Sequence, residues 1–310
     1  MISDEPGADV PTTIRAQPLT SCIGAVVHEV QLGSVDRTDA AAIRRALHQH
    51  GVLVFPAQKL EREQQVEFTR LLGDVHGHPV PEFLFGGADP VAVVENDADK
   101  LPQDDQNFHV DYSFGPEIPD LAVLHAEVLP PAGGDTMWSS AAAAYDALSP
   151  RMQEFLLGLS ARHEAGERFW YEMRRTLGPE PTERAREHFE GNDHPVVCLH
   201  PVTGRRLLFV NPGYTVAIND LSTRESAGLL RMLFDHLNNP AFHFRHRWQD
   251  SDVVIWDEHL TAHMGPFDFA PHHRRLARVT AGRTSPAPAS VASAERSSQP
   301  AAQDRASSTT

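Results

Sequence analysis

Asn107-Phe108-His109-Val110-Asp111-Tyr112 is the stretch on which the reading of this chain turns. In an extended segment residues i and i+2 point to one face, so the His109 imidazole and the Asp111 carboxylate can converge on a single ion. A mixed nitrogen and oxygen pair suits Fe(II), whereas thiolates would point to zinc or a cluster. Alone, a His-x-Asp is more often an exposed hydrogen-bonded pair, so a metal site requires a third ligand. Trp256-Asp257-Glu258-His259-Leu260-Thr261-Ala262-His263 offers one in His263, on a distant strand. Two histidines and one carboxylate form a facial triad that leaves three octahedral positions open.

A basic cluster, Arg274, Arg275 and Arg278, follows that third ligand. On a strand Arg274, Leu276 and Arg278 share a face, so Arg278 can point inward as a bidentate carboxylate clamp. Helices are expected at residues 38 to 50, capped by Thr38 and stopped by Gly51, and at 61 to 72, stopped by Gly73. A Ser222 and Glu225 capping box opens a further helix to about Leu237. Strand-like runs occur at 52 to 55, 91 to 95, 121 to 128, 196 to 200, 206 to 210, 242 to 248, 252 to 256 and 274 to 280. Many strands with helices gathered early and late indicate a β-rich α+β fold rather than a regular βαβ sheet.

The 310 residues fit one large domain. A formal charge of -15, from 27 Lys and Arg against 42 Asp and Glu, argues against a nucleic-acid partner while leaving room for an anionic small-molecule substrate. Neither GxGxxG nor GxxxxGK[ST] is present, so no phosphate loop is signalled. Cys22 and Cys198 supply no disulfide framework and no CxxC, which favours a reducing cytoplasm. No membrane span and no export signal are expected. Residues 1–12 read as a flexible N-terminus, 13–283 as the folded domain, and 284–310, poor in large apolar residues, as a disordered tail.

The motifs resemble the taurine and 2,4-dichlorophenoxyacetate dioxygenase family of Fe(II)/2-oxoglutarate-dependent oxygenases, from about Pro18 to Gly282. That family's spine is a His-x-Asp after an aromatic residue, a Gly-Gly-Asp-Thr segment, an apolar strand ending in Trp-Asp, a His seven residues past that Trp, and an Arg fifteen past that His. Here these are His109 and Asp111, Gly133-Gly134-Asp135-Thr136, Trp256-Asp257, His263 and Arg278. The resemblance implies a distorted double-stranded β-helix (jelly roll) with flanking helices. It also implies Fe(II) on His109, Asp111 and His263, 2-oxoglutarate and O2 as co-substrates, and release of succinate and CO2. Arg278 and the Thr136 hydroxyl are expected to hold the far carboxylate, with Arg274 also placed among the 2-oxoglutarate residues, and a homo-oligomer is expected. Asn107 and Trp256 are expected to support the ligands rather than join them. The family usually carries Arg where His259 stands, so Glu258-His259 is a departure. His194, His200, His243 and His246 are expected to be structural.

In taurine enzymes a His in a His-Pro segment, a Tyr, an Asn four residues before the first ligand and a Phe line the substrate pocket. His78 fits the first position, but Pro81 stands for the Tyr, Asp105 for the Asn, and the Phe position falls near Ala165. His78, Asp105 and Phe209 are the candidate substrate residues, with His78 and Arg274 as a cationic corner. The expected reaction is hydroxylation of a small or medium anionic substrate: a sulfonate, a sulfate ester or an amino-acid-like acid. Two rivals are a zinc-dependent hydrolase on the same ligands, which gives Arg278 and Thr136 no role, and a non-catalytic jelly-roll binding protein.

Overall fold

Strands Val52–Phe55 and Val253–Asp257 are buried at every position, which requires cover on both faces of the sheet they share. The computed structural model, which describes residues 14–96 and 107–290, supplies it. On one face Leu53, Phe55, Val123, Val253 and Ile255 pack with Ile43, Leu47, Phe68 and Leu72 of helices Arg37–His50 and Arg62–Leu72. On the other, Val52, Val54, Leu124, Val254, Trp256 and Leu276 pack with Trp138, Phe244 and Trp248. The period-2 alternation of each strand thus buries both faces of the sheet.

Among the described residues the main sheet has eight strands; Val253–Asp257 lies between Val52–Phe55 and Leu121–Val128, and Arg274–Ala281 follows Leu121–Val128. Opposite it, Thr136–Ser140 pairs on its two sides with His243–His246 and Thr261–Met264. These two layers are the sandwich that holds the site. A second core forms where helix Thr223–Leu237 packs Leu230, Leu233 and Leu237 against Val197, Leu208 and Ile218.

Several expected boundaries shift. The first long helix is capped by Asp36, whose carboxylate accepts from the Thr38 and Asp39 amides, so Thr38 lies inside the first turn. The folded body does not stop at residue 283. Thr284 bridges Ile118, strand Ala287–Pro288 pairs with Val197–Leu199, and Ala289 is buried in the second core. Small residues suffice there because the strand ladder, not side-chain volume, supplies the contacts. Among the described residues no helix is long and apolar enough to cross a membrane.

Candidate metal centre

Backbone pairing brings the two histidines together. His109 N–H donates to the His263 carbonyl at 2.9 Å and His263 N–H to the His109 carbonyl at 2.8 Å, a doubly bonded antiparallel pair. Their rings lie 4.4 Å apart. The extended geometry ends sooner than the sequence suggests, because a turn begins at Asp111 and Tyr112 adopts φ 56°. Asp111 still meets the histidines: its Oδ1 lies 3.7 Å from His109 Nε2 and 3.9 Å from His263 Nε2. Gly213 packs against this pair so closely that a Cβ there would sit 2.6 Å from His109 Cβ.

The ring tautomers suit a metal. His109 Nδ1 donates to the Asn107 carbonyl at 3.1 Å, which leaves the Nε2 lone pair facing Asp111. Burial, then His109, holds His263 well below its usual range, so its imidazole is neutral. Burial opposes ionisation of Asp111, but the Arg278 charge outweighs it and holds the carboxyl at about 2. A neutral His263 imidazole and an ionised Asp111 carboxylate are protonation states that a divalent cation requires.

A second trio, His48, His200 and Asp257, is equally compact but does not fit a metal. His200 Nδ1 accepts the amides of Val202 and Thr203 at 3.2 and 3.0 Å, so its proton sits on Nε2 and points at Asp257 Oδ2, 2.9 Å away. His48 Nδ1 lies 3.1 Å from the same oxygen, and the other Asp257 oxygen accepts from the amides of His259 and Leu260. This carboxylate is saturated, and it ties the first long helix to the turn that precedes His263.

The two inward arginines divide differently from expectation. Arg278 Nη1 donates to Asp111 Oδ2 at 2.6 Å and Nη2 to the Tyr112 hydroxyl at 3.1 Å. It is Arg274 that meets Thr136, with Nη2 3.3 Å from Oγ1, while its Nε donates to the Gly134 carbonyl at 2.8 Å. Thr136 Oγ1 also accepts from Trp248 Nε1 at 3.0 Å, so the hydroxyl proton is left to donate elsewhere. The pairing of Arg278 with Thr136 is therefore corrected to Arg274 with Thr136. Face parity could not separate them, since positions four apart on one strand point the same way.

His78 lies beside this centre. Its ring contacts Tyr112 at 4.9 Å, and its Nδ1 accepts the Val80 amide at 3.1 Å. Burial, then the Arg278 charge, lowers it to about 4, so it is a neutral Nε2–H donor and not part of a cationic corner. Phe209 is a core residue, 2% exposed and stacked on His163, which removes it from the substrate wall. Asp105 lies outside the described residues. His259 Nε2 sits 3.3 Å from Asp120, and His263 is the histidine that the fold places beside His109 and Asp111. His194, His243 and His246 bond to backbone carbonyls or to Asp252. Tyr112 was given no role from the sequence, where adjacency to His109 and Asp111 was its signal, and Glu258 was noted there only as part of a departure from the family pattern. A cavity of about 300 Å³ has Gly77, Tyr112, Phe114 and Phe189 in its wall.

Comparison with known proteins decides the family: the model "Taurine catabolism dioxygenase TauD, TfdA family" matches residues 15–280. The chain belongs to this family. It is 31% identical over 279 residues to an alpha-ketoglutarate-dependent sulfate ester dioxygenase of Pseudomonas putida, covering 86% of this chain and 89% of that one. It is 30% identical over 285 residues to the alpha-ketoglutarate-dependent 2,4-dichlorophenoxyacetate dioxygenase of Cupriavidus pinatubonensis, covering 86% and 97%. The crystal structure of AAD-2 in complex with Mn(II) and N-oxalylglycine superposes with a TM-score of 0.73 at 27% identity, covering 89% of this chain and 99% of that one. The fold is the jelly roll of these enzymes, and this TauD, TfdA family member is a 2-oxoglutarate-dependent dioxygenase.

Proposed function

We propose that His109, Asp111 and His263 hold Fe(II), and that the enzyme hydroxylates a small or medium anionic substrate with release of succinate and CO2. The observation that carries this is the convergence of two Nε2 atoms on one oxygen of Asp111, with the other oxygen held by Arg278. Bound Fe(II) would supply the oxygen activation that couples 2-oxoglutarate decarboxylation to substrate oxidation. Arg274 and the Thr136 hydroxyl provide the charge-assisted bonds for the far carboxylate of 2-oxoglutarate. N-oxalylglycine, bound with Mn(II) in AAD-2, is a dicarboxylate of the same length, which supports a site of this size.

Arg278, bonded to the Asp111 oxygen that does not face the imidazoles, and the neutral His78 are the groups assigned to the substrate's anionic end. Tyr112 keeps Arg278 in place through its hydroxyl and ring, the guanidinium carbon lying 5.8 Å from the ring centre. A sulfate ester, a sulfonate or an aryloxy acid each presents such an anion beside an oxidisable carbon, in keeping with the relatives' substrates. The test is incubation with Fe(II), ascorbate, 2-oxoglutarate and a panel of the three classes, read as succinate. Sulfite would mark a sulfonate substrate, and inorganic sulfate with an aldehyde would mark a sulfate ester. Absence of substrate-stimulated succinate across the panel would refute the anionic-substrate reading.

A further inference from the structure

We propose that Glu258 is a positioning residue that sets the tautomer of His263 and anchors Asp111 at the same time. The inference rests on the reading of the triad as a divalent-metal site. Glu258 is fully buried, and its two oxygens face donors from three directions. Oε1 accepts from Trp256 Nε1 at 2.7 Å, and Oε2 accepts from the Asp111 amide at 3.2 Å. The same Oε2 is 3.9 Å from His263 Nδ1, which is buried and has no hydrogen-bond partner.

The two ligand histidines therefore differ. His109 has its Nδ1 proton fixed by a backbone carbonyl, whereas His263 Nδ1 makes no hydrogen bond and faces Glu258 Oε2 from 3.9 Å. For His263 Nε2 to offer its lone pair to a metal, the ring proton must be on Nδ1, and Glu258 Oε2 is the acceptor assigned to it in the metal-loaded site. One side chain then holds the ring of one ligand and the peptide of another. Its own place is fixed from outside: Glu258 N–H donates to the Asp120 carbonyl, and the preceding Asp257 is bound by His48 and His200.

Trp256 Nε1 and the Asp111 amide both donate at this point, so the NH2 of Glu258→Gln must face one of these donors or His263, which disturbs the contact that positions the ligands. The experiment is a calorimetric Mn2+ titration, with 2-oxoglutarate present, of the wild-type chain and Glu258→Gln, alongside their melting temperatures without metal. The expected result is a ten- to hundredfold weaker Mn2+ affinity in the variant. A lowered melting temperature with unchanged Mn2+ affinity would show a merely structural role and overturn the proposal. Should the variant not fold, 15N imidazole spectra of the Zn2+-loaded wild type decide: the His263 Nδ1–H is expected to be downfield and protected, and a freely exchanging proton overturns the proposal. A wild-type chain that takes up no Mn2+ sinks the metal-site reading together with this inference, whereas equal uptake by both chains sinks this inference alone.

Discussion

Asp111 divides its two oxygens between opposite tasks, one facing two imidazoles and the other accepting from Arg278. Asp111→Ala is accordingly expected to abolish Mn2+ binding and turnover while leaving the fold intact, as checked by calorimetry and far-ultraviolet circular dichroism. Retained metal uptake would remove Asp111 from the centre. The arginines separate by kinetics. Arg274→Ala deletes a charge-assisted bond worth about 1.5 to 3 kcal/mol, so the KM for 2-oxoglutarate is expected to rise about ten- to hundredfold. Arg278→Ala is expected to act chiefly on the KM for the anionic substrate. The reverse pattern would restore the pairing of Arg278 with Thr136. Gly213→Ala places a methyl against His109 and is expected to weaken Mn2+ binding without touching any ligand.

Elements carry the ligands only because tertiary cover fixes their register. Leu47→Ala, in the helix over the main sheet, is expected to cost about 2 to 5 kcal/mol by denaturant unfolding, because its side chain is 1% exposed within a packed cluster. The C-terminal strand tests a boundary. Truncation after Arg283 removes the Ala287–Pro288 pairing and buried Ala289, and is expected to lower stability by about 1 to 3 kcal/mol relative to truncation after Ser290. Equal midpoints would return residues 284–290 to the tail. Helices and strands with strong caps or uniform burial, such as Thr223–Leu237 and Leu121–Val128, were legible from local pattern. This strand was not, because Ala and Pro carry no propensity for it and only the neighbouring ladder recruits them.

For the whole molecule, pH dependence follows from histidines buried without charge. Burial lowers His78 from 6.5 to about 4 and His163 from 6.5 to about 3. Both are neutral when folded and protonate near 6.5 when unfolded, so the unfolded chain binds more protons below that pH. Stability is complete above about pH 6.5 and falls as pH drops toward 4, by roughly 1.4 kcal/mol per pH unit for each histidine. Asp111 adds a later loss, since a carboxyl depressed to about 2 stops contributing as pH falls through that value. Urea midpoints measured between pH 7 and 5 check the first phase, and a flat profile would contradict it.

The candidate ligands were readable from residue type and order, since two imidazoles and a carboxylate together suggest a metal. Which atoms meet was decided by the assembled sheets. Arg274 and Arg278 share a strand face, so local geometry treats them alike, and only the neighbouring layers place Thr136 beside one and Asp111 beside the other. The two histidine trios were likewise equal as compositions. The amides of Val202 and Thr203 set one imidazole to donate, while the Asn107 carbonyl sets another to accept a metal, because a ring proton goes where the folded backbone offers a partner.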